Sequence, residues 1–233
     1  MLIYTGLISF THNYISINRC KVDTSSSIIN IILLFQAARA FLHLLLFSIS
    51  PAKAIINADI ERWILETQGE ETAGSSTWKR LVWLLWKYPE YRNLFYYRIK
   101  KDKKNINRIL MEIANLFFAP MSTLYIYSPS IGEGLFIQHG FSTIIAANSL
   151  GKNCWINQQV TIGFSGDGES PTIGDNVQIT AGAKVFGDIT IGDNSLIGAN
   201  AVVFKDVPKN CTVVGVPGYI VKRDGKKVKE PLE

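Results

Sequence analysis

An aliphatic residue recurs at every sixth position through the C-terminal half of this 233-residue chain. Ile173, Ile179, Val185, Ile191, Ile197 and Val203 follow at strict spacing, and Ile131-Gly132, Ile137, Leu150-Gly151, Ile156 and Ile162-Gly163 carry the same beat upstream. A meander of hairpins alternates with period two and an amphipathic helix with period 3.6. A fixed period of six instead signals a solenoid, each repeat being one short strand and a turn. Three repeats complete a triangular coil, and the aliphatic side chain points to the axis and stacks on its equivalent in the next coil. Gly174-Asp175-Asn176 and Gly192-Asp193-Asn194 fall at corners, where glycine and asparagine tolerate tight turns. The expected fold class is mainly β solenoid, a parallel β-helix of hexapeptide repeats behind an α-helical N-terminal region.

The beat breaks twice. Between Ile137 and Ile144 there is one residue too many, and His139 lies inside this irregularity. Between Ile162 and Ile173 the spacing is eleven where two repeats would take twelve, and Phe164 to Pro171 is polar and flexible in composition. A solenoid leaves its regular path where a loop lines a site, because insertions there leave the stacked core undisturbed.

Before residue 126 the periodicity is helical. Ser50-Pro51 is an N-cap followed by proline at the first helical position, and the helix it opens reaches about Thr67, with Gly69 as its stop. Trp78–Tyr88, Pro89 to Arg98 and about Asn105 to Phe118 give three more helices. Ser27 to Ile49 is apolar and almost long enough to span a membrane. Gln36, Arg39 and His43 interrupt it on one helical face, and an arginine near mid-span costs roughly 2.5–3.5 kcal/mol. An amphipathic helix, packed on partners or lying on a membrane, is therefore preferred to a span. Residues 1–20 show neither the charged start nor the cleavage site of a signal peptide. The expected organisation is an apolar segment over 1–50, a helical domain over 51–126, the β-helix over 127–221 and a basic tail over 222–233.

Composition narrows function modestly. A formal charge of +5 suits polyanionic small molecules or a membrane surface and is too weak to point to nucleic acid. Cys20, Cys154 and Cys211 form no framework, so a reducing cytoplasmic setting is expected, possible contact with the inner face of the membrane included. Arg98, Lys100, Lys101, Lys103, Lys104 and Arg108 follow the aromatic run Leu94 to Tyr97 and suit an anionic membrane or glycan, or simply a solvated helix end.

Several stretches carry a family resemblance: Ile131-Gly132-Glu133-Gly134 through Gln138-His139-Gly140, Gln159 to Gly163, Ala181-Gly182-Ala183-Lys184, and Gly215-Val216-Pro217-Gly218. Through them, residues 127–223 resemble the hexapeptide-repeat acyltransferases, most closely serine O-acetyltransferases. The resemblance implies a left-handed coil, a homotrimer with sites between subunits, acetyl-CoA as acyl donor, no metal, and His139 as the catalytic base. Departures from the family are as informative. Its second histidine corresponds to Ser170 and a neighbouring arginine to Glu169. The aspartate before the first histidine is replaced by Gln138, and the aspartate of an Asp-Pro pair matches Tyr88 before Pro89. Those carboxylates hold the ammonium of serine, so losing both removes charge-assisted contacts for an amino-acid acceptor. The expected acceptor is accordingly a sugar or polysaccharide-precursor hydroxyl, with serine as the alternative and a non-catalytic scaffold as a third reading. A zinc hydratase on the same fold needs about three histidines, and the repeat region has His139 alone.

The chemistry follows from the residue types. A hydroxyl is a poor nucleophile at neutral pH, and an imidazole can accept its proton during attack and return it to the departing thiolate. Such help is worth roughly 10²–10⁴-fold. A backbone N–H of the glycine-rich wall, such as Gly163, is the candidate oxyanion donor. Ala181 and Ala199 are small enough to let a pantetheine arm pass, though turns alone also favour small residues. Lys205, Lys222 and Arg223 are the candidate phosphate ligands, and Asn157 a candidate contact to acceptor or donor. Tyr125 and Tyr127 stand near where the family has the aspartate that orients the histidine, which leaves a backbone carbonyl as the alternative orienting group for His139.

Overall fold

The computed structural model describes residues 26–67, 74–101, 105–166 and 168–232. Expectations for residues 1–20, for Gly69 as a helix stop, for Lys103 and Lys104, and for Asp167 lie outside them.

Among the described residues six helices come first: α1 (Ser26–Arg39), α2 (Phe41–Ile49), α3 (Lys53–Glu66), α4 (Thr77–Lys87), α5 (Pro89–Lys100) and α6 (Asn105–Asn115). Pro89 opens α5 without loss of a helical hydrogen bond, as its position predicts. The apolar N-terminal run is two helices, bent by 67° at Ala40, and among the described residues no single helix is long and apolar enough to cross a membrane. Its polar face turns inward. Arg39 donates to Gln36 Oε1 at 2.9 Å and to the Phe117 carbonyl at 2.8 Å. His43 is fully buried and donates through Nε2 to the Tyr96 hydroxyl at 2.6 Å, which in turn donates to the Phe118 carbonyl.

The solenoid follows in five coils. Coil one is β1 (Leu124–Ile126), a bridge at Ile131 and β2 (Phe136–Ile137); coil two is β3 (Thr143–Ile145), β4 (Ser149–Leu150) and β5 (Trp155–Ile156). Coil three is β6 (Thr161–Gly163), β7 (Thr172–Ile173) and β8 (Gln178–Ile179); coil four is β9 (Lys184–Phe186), β10 (Thr190–Ile191) and β11 (Leu196–Ile197). Coil five is β12 (Val202–Val203), a bridge at Val207 and β13 (Cys211–Val214). All pairings between coils are parallel and in register, so Ile145, Ile162, Val185 and Val203 stack on one face and Ile137, Ile156, Ile179, Ile197 and Val213 on another. Nearly all of these side chains are fully buried, each contributing roughly 1.5–3 kcal/mol. At one corner Asn176, Asn194 and Asn210 adopt φ of 56°, 59° and 57° and pass side-chain hydrogen bonds up the stack at 3.0 Å. Asparagine suits both demands there: it tolerates the left-handed region and supplies donor and acceptor.

The register corrects both readings of the breaks. Ile145, not Ile144, faces the axis, and Ile144 is exposed. The first break therefore holds two extra residues. Ile162 and Ile173 lie on successive faces of one coil, so the second break is a five-residue insertion rather than a deletion of one. The basic tail is also revised. Residues 219–231 form the antiparallel hairpin β14 (Tyr219–Arg223) and β15 (Lys226–Pro231), which extends the sheet of β13.

The helices dock on coil one through buried polar contacts. Arg98, expected in a surface basic cluster, is 3% exposed and forms a two-pronged ion pair with Asp59 at 2.8 and 3.2 Å. The same guanidinium donates to the carbonyls of Ile131 at 2.6 Å and Gly132 at 2.7 Å, while Asp59 accepts from the Gly134 amide at 2.7 Å. Burial pushes the Asp59 carboxyl up, and the Arg98 guanidinium opposes that shift. Trp63 adds a hydrogen bond to the Leu135 carbonyl at 2.8 Å and an edge contact with Phe136.

Burial, helped by Arg92, lowers the pKa of His43 from 6.5 to about 4. The stability due to neutral His43 is complete above pH 6.5 and is lost as pH falls from there through 4, by roughly 3 kcal/mol. Urea unfolding at pH 7 and pH 4.5 should show a larger drop in the natural chain than in His43→Gln; equal drops would contradict this assignment.

Candidate active site

His139 projects from the corner between β2 and β3, where the two extra residues lie. At the same corner of later coils the chain passes through Asn157-Gln158-Gln159, Thr180-Ala181-Gly182 and Gly198-Ala199-Asn200. Backbone bonds run up this column: Gln138 N to Ile156 O at 2.9 Å, Gly182 N to Gln158 O at 3.0 Å and Asn200 N to Ala181 O at 2.9 Å. The insertion is absorbed by a tight turn in which Phe141 N donates to His139 O at 2.5 Å, after which Gln159 N donates to Phe141 O and the stack resumes. His139 has φ 57° and Ser142 φ 51°. Gln159 at φ 59° and Asn200 at φ 58° turn the same corner of later coils in the same way, so the left-handed turn belongs to the coil geometry.

His139 is exposed, and among the described residues nothing hydrogen-bonds to its ring. Gln138 beside it accepts from Asn157 Nδ2 at 2.8 Å, which joins two of the expected substrate contacts in one pair. Ala181 is half-buried and Ala199 exposed, so both leave the column low-walled. Gly163 ends β6 with open space on its outer side, since a Cβ built there meets nothing within 4 Å. Lys205 lines a cavity of about 310 Å³ with Val202, Phe204, Pro217, Gly218 and Leu232, and donates to the Leu232 carbonyl at 3.2 Å. This cavity is on coil five, whereas His139 is between coils one and two.

Other expected site residues lie apart. Ser170 ends the inserted loop between β6 and β7, a different corner from His139, so one chain does not bring the two together. The Tyr88 ring, half-buried, packs edge-on to Trp63 at 5.8 Å and tilts against Trp83 at 5.4 Å. Lys222 and Arg223 are strand residues of the hairpin, and Arg223 is engaged by Glu230 at 2.6 and 2.9 Å. Tyr125 and Tyr127 stack on each other, exposed on the outer face of coil one. Cys154 and Cys211 are buried, and burial pushes the Cys154 thiol up to about 11, which suits packing rather than chemistry.

Glu90 was missed in the sequence. It is 9% exposed, and its Cγ would lie 3.2 Å from a Cβ on Gly140, the residue after His139. Its place in the first turn of α5 gives an ordinary reason for an acid, which hides the contact.

Residues 170–205 match the family described as bacterial transferase hexapeptide (six repeats). A serine acetyltransferase from Staphylococcus xylosus is 43% identical over 134 residues, which cover 55% of this chain and 60% of that protein. One from Synechococcus elongatus is 46% identical over 107 residues, 44% of this chain and 43% of its own length. The chain thus spans about half the length of these curated relatives. The solved structure of Neisseria gonorrhoeae serine acetyltransferase in complex with serine superimposes with a TM-score of 0.55 at 28% identity, covering 78% of this chain and 73% of that one.

Gly140 has no room for a side chain, since a Cβ would lie 2.8 Å from Ile137 Cγ2 and 3.1 Å from Leu124 Cδ2. Gly140→Ala should lower stability by about 1–3 kcal/mol and displace His139. A loss of any activity larger than the loss of folded protein, read by circular dichroism, is the expected result. The repeat period, the five stacked coils and these alignments together make residues 170–205 a match to the bacterial transferase hexapeptide family and the chain similar in sequence and fold to serine acetyltransferases.

Proposed function

We propose that this chain is an acetyl-CoA-dependent O-acetyltransferase in which His139 is the general base. One observation carries the reading: the only histidine of the solenoid stands exposed at the corner where the six-residue period is broken. The imidazole takes the acceptor's hydroxyl proton as oxygen attacks the thioester carbonyl. The carbon–sulfur bond then breaks, and the imidazolium protonates the thiolate, releasing coenzyme A and an acetyl ester. Gly163 as oxyanion donor, Ala181 and Ala199 as the floor of the donor lane, and Lys205 at its far end belong to the same proposal. Adjacent coils lie about 4.8 Å apart, so a donor anchored on coil five and reaching coil two crosses about 14 Å, a distance that suits a linear thioester arm.

Serine is the acceptor we put first, because the relatives are named serine acetyltransferases; this replaces the sugar hydroxyl expected from the sequence. The sugar reading retains one specific support, the replacement of carboxylates by Gln138 and Tyr88. A homotrimer belongs to the proposal too, since it would bring a neighbour's Ser170 loop to the His139 corner. The comparisons lend no support to a membrane contact, and acetyl-CoA as donor agrees with a cytoplasmic site of action.

Coenzyme A release with a panel of L-serine, other amino alcohols and sugars, with the product identified by mass spectrometry, tests the acceptor. Saturable release with serine is expected; release with sugars alone restores the earlier reading, and no release with any acceptor leaves a scaffold. His139→Ala should lower kcat/KM by roughly 10²–10⁴-fold with the fold intact, and full activity in that variant would remove His139 from the mechanism.

A further inference from the structure

A helix that is apolar all round belongs in a protein core or in lipid. The inward side of α1 and α2 buries Leu33, Ala40, Leu46 and Phe47, together with the polar Gln36 and His43. The outward side is apolar as well. Ile31, Leu34 and Phe35 on α1 and Phe41, Leu45 and Ile49 on α2 are each 37–65% exposed. Spacings of i, i+3, i+4 and i, i+4, i+8 set each trio on one helical face. Leu116 and Phe117, also exposed, adjoin this surface, because Arg39 at the end of α1 donates to the Phe117 carbonyl.

The chemistry of the face selects its occupant. Arg39 is the one charged residue from Ser26 to Ile49, and its guanidinium is turned to Gln36 and Phe117. Among the exposed residues from 31 to 49 only Ser48 has a polar side chain, and its hydroxyl donates to the Leu44 carbonyl at 2.8 Å. Among the described residues the face thus presents no free hydrogen-bonding side chain. A protein partner meets a surface through a polar rim and about one hydrogen bond per 100–200 Å². Hydrocarbon asks for none, and helices satisfy their own backbone within it. Lys53, exposed just beyond α2 with its amino group 5.5 Å from the Phe47 ring centroid, places a cation at the edge, where lipid headgroups would lie. The pair is bent by 67°. Its helices of 14 and 9 residues run about 21 and 14 Å, short of the roughly 30 Å of a hydrocarbon core.

We propose that α1 and α2 lie in one leaflet of a lipid bilayer, their outward face buried among acyl chains and the solenoid in water. The proposal stands on this chain's own surface and is independent of the acceptor and of His139.

Flotation of the full chain with phosphatidylcholine vesicles, at low salt and at about 1 M salt where charges are screened, tests it. The natural chain should float under both conditions. Leu34→Gln/Phe35→Gln/Phe41→Gln, folded by circular dichroism, should bind at least tenfold more weakly. Phe35→Trp, which keeps an aromatic ring at the position, gives a second reading: its added fluorescence should be quenched by bromine carried on the acyl chains. A natural chain that stays behind when vesicles float overturns the proposal. Its mass by sedimentation then names the occupant: a mass that falls in the triple variant assigns the face to a second copy, and an unchanged mass assigns it to residues 1–25 of the same chain. A folded triple variant that floats like the natural chain, or a bound Phe35→Trp chain that acyl bromine does not quench, overturns it equally.

Discussion

The ion pair of Asp59 and Arg98 is the constraint on which the relation between the two halves depends. Neither charge sees solvent, and each spends its remaining hydrogen-bonding capacity on coil one: Arg98 on the Ile131 and Gly132 carbonyls, Asp59 on the Gly134 amide. Removing either partner leaves the other buried and uncompensated, typically at about 3–5 kcal/mol. Its value lies in geometry as much as in energy. The clamp fixes α3 and α5 against the first coil, and α5 in turn brings Glu90 to Gly140. A solenoid alone would expose its first coil as an open end; here the helices cap it.

The stacked aliphatic columns explain why the site is where it is. Each inward side chain is specified by its neighbours above and below, so a change of length within a strand would break the register of every coil beyond it. Extra residues are tolerated only at corners, where the chain already turns outward. The two insertions use different corners, and each adds chain outside an undisturbed stack. At the first, His139 is lifted clear of the column; at the second, Ser170 and the glycine-rich loop are carried to the opposite edge of the same face.

Much of this was legible in the chain. The six-residue period specified the solenoid because inward positions admit little but aliphatics, and Pro89 announced a helix start; Ser50-Pro51 instead form the turn before α3, whose N-cap is Ala52. The exact register was not legible at Ile144-Ile145, since two adjacent isoleucines satisfy the pattern equally and only stacking on Ile162 decides between them. Residues 222–233 read as a tail because lysines dominate, yet Val228 packs against the core and Glu230 pairs with Ile220 and accepts from Arg223 of β14. Arg98 looked like part of a surface cluster because its partner, Asp59, is far away in sequence. Glu90 was hidden for the same reason: its contact with Gly140 exists only after docking. Contacts that join distant segments leave no local period to read.

The central claim is that the chain departs from its period at the first corner in order to hold a catalytic imidazole. Excising His139 and Gly140 restores six-residue spacing between Ile137 and Ile145, and the rate of coenzyme A release by that shortened chain, measured beside its urea midpoint, tests the claim most directly. The account predicts a folded chain whose acceptor-dependent release is reduced by at least roughly 10²-fold. A stable shortened chain that still transfers acetyl groups at the natural rate would contradict it.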